Sequence, residues 1–182
     1  MLYKSIYIQH FDKIQKELLQ LSEKVLLTHK TGSTIVEHNL LLDSSLLLTE
    51  YLADNNLKLD VARFFVIEPN DSIGIHIDGS KDHPKFLALN IPILNCQNTY
   101  MQWWDNLKKI GLQSDPRYMK DIVVYDETNK QLIGELELTT PCLVKIDTPH
   151  SVKNPQNVTR IVLSLRFNPE PLDLWHQHKF RL

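Results

Sequence analysis

The chain has 182 residues, 42% of them hydrophobic, with 20 lysines and arginines against 22 aspartates and glutamates and a formal net charge of −2 at pH 7. That length suits one domain, or one domain with a helical annex, and is enough to bury a full core. The near-neutral balance offers no basic surface to nucleic acid or an anionic membrane, and no apolar run approaches the length of a membrane span. The N-terminus, Met1-Leu2-Tyr3-Lys4-Ser5-Ile6-Tyr7, lacks the long apolar stretch and cleavage site of a signal peptide. Cys96 and Cys142 stand alone without CxxC spacing, which favours two buried, reduced thiols in a cytoplasmic protein over a single bridge.

In chain order, residues 1–59 read as a helical annex. Phe11, Ile14, Leu18, Leu21 and Val25 recur at helical spacing, with lysines and glutamates between them. Residues 29–38 read as a loop or a short strand. A second helix is expected to start at Asp43 or Ser44, either of which can cap free N–H groups, and to run through Leu46, Leu47 and Leu52.

From residue 60 to 168 the pattern changes to short β-rich runs separated by turn residues. The expected strands are Val61–Ile67, Ser72–Asp78, Phe86–Ile93, Tyr100–Trp104, Asp121–Tyr125, Leu132–Thr139, Cys142–Asp147 and Arg160–Phe167. Between them only a short helix at Asn106–Ile110 fits. It falls in a long connection, residues 105–120, that reads equally as a lid or as a solvated insertion. A parallel sheet needs crossover helices, so the expected class is mainly β with N-terminal helices: an antiparallel sandwich or jelly roll of about eight strands. Residues 169–182 read as a C-terminal tail that Trp175 can pack.

The chemistry gathers around His76-Ile77-Asp78. Residues two apart on a strand share a face, so His76 and Asp78 project together while Ile75 and Ile77 point the other way. Gly79 follows and places the pair at a strand end. His150 comes after Thr148-Pro149, near the end of another expected strand. Two imidazoles and one carboxylate with open positions are the ligand set of a mononuclear non-haem iron(II) site. In Arg160–Phe167, Ile161, Leu163, Leu165 and Phe167 form one face and Arg160, Val162, Ser164 and Arg166 the other. An arginine lining a barrel needs an anionic partner, which a dicarboxylate supplies; Ser164 can add a hydroxyl hydrogen bond.

From His76 to Phe167 the chain resembles the iron(II)- and 2-oxoglutarate-dependent oxygenases, which carry a His-x-Asp, a distal His and an Arg or Lys about ten residues further on. Pro149-His150-Ser151-Val152-Lys153-Asn154 leading into Arg160 is similar to the C-terminal motif of the aspartyl/asparaginyl β-hydroxylase-like and prolyl hydroxylase-like branches. Asp78 departs from the aspartyl/asparaginyl β-hydroxylases proper, which lack the carboxylate ligand. The resemblance implies a cupin-like double-stranded β-helix with His76, Asp78 and His150 as iron ligands. It implies that Arg160 holds the distal carboxylate of 2-oxoglutarate, and that O2 oxidises a small-molecule or peptide substrate with release of succinate and CO2. Arg166, on the same face, is the alternative anchor.

Other residues read less sharply. Asn90 can face the pocket as a cosubstrate contact or satisfy a turn near Asn95, and Lys85 reads as solvent-exposed or as a second cation. Trp103 and Trp104 face opposite sides, so at most one lines the pocket and the buried one fills core. His83 reads as a loop residue, and His176 with His178 as part of the tail. Two other functions remain open: a cupin-type metalloprotein without 2-oxoglutarate, and a non-enzymatic jelly-roll binding module. The sequence leaves the oligomeric state open.

Overall fold

The computed structural model describes residues 1–26, 31–78, 86–115 and 120–176. The elements are β1 (Tyr3–Ser5), α1 (Phe11–Val25), β2 (Gly32–Ile35), α2 (His38–Ser44), α3 (Leu46–Asp54), β3 (Leu59–Ile67), β4 (Asp71–His76) and β5 (Leu87–Leu94). They continue as β6 (Tyr100–Asp105), β7 (Lys108–Asp115), β8 (Lys120–Asp126), β9 (Gln131–Glu137), β10 (Cys142–Lys145), β11 (His150–Asn154), β12 (Arg160–Phe167) and α4 (Leu172–His176).

Strand pairing is antiparallel throughout these elements. A larger sheet runs β1-β10-β5-β12-β3-β2, a smaller one β4-β11-β6-β9, and β7 pairs with β8 as a separate hairpin. This is the mainly β jelly roll, or double-stranded β-helix, with helices before it. Among the described residues no helix is long and apolar enough to cross a membrane.

Alternation along the strands builds two cores. The outer face of the larger sheet sends Phe64, Val66, Leu89, Ile91, Leu163, Leu165 and Phe167 against Ile14, Leu18 and Leu21 of α1 and Leu48 and Leu52 of α3. Each such aliphatic or aromatic side chain contributes roughly 1.5–3 kcal/mol on burial, and this layer anchors the annex. The inner core lies between the sheets and gathers Ala88, Met101, Trp103, Leu136, Leu138, Val144 and Val162. Cys96 and Cys142 sit in this inner layer, buried and unbridged.

Four expectations need correction. The second helix starts neither at Asp43 nor at Ser44: α2 already occupies those residues, and the extended backbone of Ser45 separates it from α3. Ser45 is the cap, accepting from the Leu48 N–H through its hydroxyl. The stretch Asn106–Ile110 is not a helix. Asn106 has a positive φ of 55°, and β7 follows it into the hairpin with β8. β1 and β11 are strands that periodicity did not mark; β11 is central in the smaller sheet, bonded to β4 on one side and β6 on the other. Finally, the strand expected to reach Asp78 ends at His76.

Candidate active site

β4 and β11 face their histidines at each other. His150 pairs with His76 in register, and the ring centroids are 4.4 Å apart. The ladder does not alternate regularly here. Two residues on, Val152 pairs with Ile73, three residues back along β4, so β4 carries a bulge. The bulge brings both Ile73 and His76 to the inner side, where they line one pocket; unbroken alternation would send them to opposite faces.

Asp78 lies just beyond β4, held by its backbone N–H donating to the Ile146 carbonyl at 2.9 Å. Its Oδ1 is 3.8 Å from His76 Nε2, and one donor atom from each of His76, Asp78 and His150 falls within 4.8 Å of the others. His76 Nδ1 lies 2.8 Å from the Gly74 carbonyl and His150 Nδ1 2.9 Å from the Thr148 carbonyl. A carbonyl only accepts, so a neutral imidazole donates from Nδ1 and carries its lone pair on Nε2, the atom that can ligate a metal. Burial, followed by the neighbouring His76, pushes the His150 pKa down to about 3, with Asp78 opposing. His150 is therefore neutral at physiological pH, as a metal ligand must be.

Arg160 is 3% exposed and lines the same pocket. Its Nε donates to Thr99 Oγ1 at 3.0 Å, and Thr99 in turn donates to the Cys96 carbonyl. Among the described residues no carboxylate pairs with it. Burial lowers its pKa, with Cys96 opposing. A guanidinium nonetheless stays charged, so this one sits buried with no counter-ion among the described residues. Arg166 differs: its Nη2 meets Asp78 Oδ2 at 2.5 Å, and its Nη1 donates to Ser164 Oγ. Ser164 Oγ passes its own proton to Asn90 Oδ1. Two arginines on one strand face thus have opposite situations among the described residues, one paired with an acid and one with a threonine hydroxyl.

The cavity spans about 500 Å³ out to its open mouth and carries an apolar wall that includes Phe65, Met101 and Leu138. His76, Asp78, His150, Arg160, Ser164, Asn90 and Arg166 all line it. Trp103 is fully buried between the sheets, while half-buried Trp104 hydrogen-bonds Ser151 and stacks under Lys130. Asn95 serves a turn, donating to the Thr159 carbonyl. Lys85, His83, Gly79 and His178 lie outside the described residues; His176 ends α4. Thr99 escaped the sequence reading, since nothing about a lone threonine before β6 marks it as the partner of a residue on β12.

Fold and site together define a double-stranded β-helix whose inner pocket is lined by a His-Asp-His group able to hold a metal ion. Among solved structures the chain is similar to EvdO2 from Micromonospora carbonacea var. aurantiaca, with a TM-score of 0.55 and 11% identity over 91% of this chain and 85% of that one. It also aligns with a prolyl-4-hydroxylase from Pseudomonas putida and with the viral collagen prolyl hydroxylase of Paramecium bursaria Chlorella virus-1 in its 2-oxoglutarate complex. Both give TM-scores of 0.47 and 11% identity over 91% of this chain, covering 83% and 94% of theirs. At such identities the likeness is one of fold. No family model and no curated protein matches the sequence.

Proposed function

We propose that the protein is an iron(II)- and 2-oxoglutarate-dependent oxygenase acting on a small molecule or a peptide side chain in the cytoplasm. The observation that carries this reading is one pocket holding three convergent metal donors and a buried arginine that, among the described residues, has no acid beside it. His76, Asp78 and His150 would hold the metal, both imidazoles already turned so that Nε2 faces it. Arg160, steadied by Thr99, would take the distal carboxylate of 2-oxoglutarate as a charge-assisted pair. When bound, iron supplies oxygen activation coupled to decarboxylation of the cosubstrate, which the protein cannot provide itself. The apolar wall of the pocket limits water beside the ligands.

The test is anaerobic addition of iron(II) and 2-oxoglutarate, watching for the visible metal-to-ligand charge-transfer band. The expected result is a band that Asp78→Ala and Arg160→Ala each remove at cosubstrate levels that saturate the parent. A folded protein with no band rules out the oxygenase reading. A band that survives both substitutions rules out these residue roles.

A further inference from the structure

A row of polar side chains crosses the inner face of the larger sheet beside Arg166, the partner of Asp78. In register, Arg63 of β3 lies opposite Ser164 of β12, and Ser164 lies opposite Asn90 of β5. Phe65, two residues from Arg63 and therefore on the same face, lines the pocket, whereas Ala62, Phe64 and Val66 are packed on the helical side. Arg166 stands two residues beyond Ser164 on that face. Arg160 lies opposite Ile67, four residues along β3 from Arg63, or about 13 Å at the usual rise of a strand.

The charges in this row do not balance. Arg166 is 12% exposed and already shares the Asp78 carboxylate. Half-buried Arg63 donates one N–H to Ser33 Oγ at 3.1 Å and, among the described residues, has no carboxylate within ion-pair distance. A guanidinium offers five N–H donors, and among the described residues Arg63 uses one and Arg166 two. Burial, and next the charge of Arg166, lower the Arg63 pKa, while Asp78 opposes. Two partly desolvated cations side by side are unfavourable unless an anion joins them. Asp78 is engaged on both oxygens, one on Arg166 and the other 3.8 Å from His76 Nε2.

We propose that Arg63 and Arg166 form a second oxyanion subsite beside the His-Asp-His group, so that the molecule oxidised is an acid presenting a carboxylate or phosphoryl oxygen to them. This rests on the oxygenase reading for its word "oxidised", and on the arginine geometry alone for the anion. Arg166 then has two tasks, holding Asp78 with one edge and the substrate acid with the other. Arg63 supplies the second charge that makes the subsite selective for acids over their neutral amides.

The experiment uses full-length protein loaded with manganese(II) and saturating 2-oxoglutarate, which occupies Arg160. Thermal unfolding is followed while acetate, inorganic phosphate or acetamide is added at constant ionic strength. Acetate or phosphate should raise the midpoint and acetamide should not, and the better of the two anions tells carboxylate from phosphoryl. The apparent affinity for the preferred anion should fall about 10-fold or more in Arg63→Gln, as expected for a lost charge-assisted contact, and recover in part in Arg63→Lys. Equal anion affinity in parent and Arg63→Gln overturns the proposal, as does acetamide acting like acetate. So does a weakened affinity for 2-oxoglutarate in Arg63→Gln, since Arg63 would then serve the cosubstrate. An Arg63-dependent anion effect without a charge-transfer band keeps the subsite and removes the oxygenase reading; a band without the anion effect does the reverse.

Discussion

On β12, Ile161, Leu163, Leu165 and Phe167 point into the helical layer and are each at most 2% exposed, whereas Arg160, Ser164 and Arg166 point between the sheets into the pocket. The same eight residues thus serve two faces with different physics. Apolar burial on the helical side is non-directional and sums over many contacts. Polar groups on the inner side must be matched one by one, and among the described residues Arg160 is matched by the Thr99 hydroxyl and not by an acid. Such a buried charge is tolerated where the rest of the fold supplies the stability, which here comes from the helical layer. That division separates folding from function along a single strand.

The comparison breaks most visibly on its apolar side. Phe64→Ala should cost about 3–5 kcal/mol of unfolding free energy, measured by urea denaturation, because it leaves a cavity between α1 and the sheet. A loss below about 1 kcal/mol would mean that the annex does not carry the fold. On the inner side the expectation inverts. Arg160→Met should leave stability unchanged or raise it by roughly 1–4 kcal/mol, because it removes a desolvated charge held by the neutral Thr99 hydroxyl and, among the described residues, by no acid. It should at the same time weaken 2-oxoglutarate binding by about 30-fold or more in calorimetry. A strongly destabilised Arg160→Met would instead make this arginine structural.

Acidification sharpens the contrast. The fold holds the His150 pKa down at about 3 against an ordinary 6.5. Between those values the unfolded chain binds a proton that the folded chain excludes, so stability is fully present above pH 6.5 and declines as pH falls toward 3. Urea midpoints of metal-free protein should fall across that window, and His150→Gln should flatten the fall. A slope unchanged by the substitution would place the titration elsewhere. The smallest effect belongs to Thr99→Val, which removes one buried hydrogen bond to Arg160. It should cost on the order of 1 kcal/mol, seen as a several-fold loss of 2-oxoglutarate affinity with little change in metal binding.

Legibility followed periodicity. Arg160–Phe167 is readable to the residue and the first helix through Phe11, Ile14, Leu18, Leu21 and Val25, because their apolar positions recur at 2 and at 3.6 with nothing interrupting them. β11 was not, because His-Ser-Val-Lys-Asn carries almost no apolar signal and is a strand through its partners on both sides. In the same way Asn106 gave no warning that β7 would follow it as an arm. The bulge in β4 depends on pairing across the sheet, so no local pattern could show it. Within the site, residues clustered in sequence were visible: His76 with Asp78, and His150 with Arg160. Thr99 and Arg63 were invisible because their roles arise from contacts across strands 61 and 101 residues apart (160 − 99 and 164 − 63).

The donors are divided between the two sheets. His76 and His150 hang from the smaller sheet, Arg160 and Arg166 from the larger, and Asp78 is tied by its backbone to Ile146 just after β10. An ion and a diacid seated among them would act as a clasp across the sandwich, adding to the few polar links between the layers, such as Trp103 to the Lys145 carbonyl, Asn154 to the Ile67 carbonyl and Arg166 to Asp78. Amide hydrogen exchange should record this as slowed opening of β4 and β11 on loading, while the helical annex, already closed by its own apolar layer, exchanges as before.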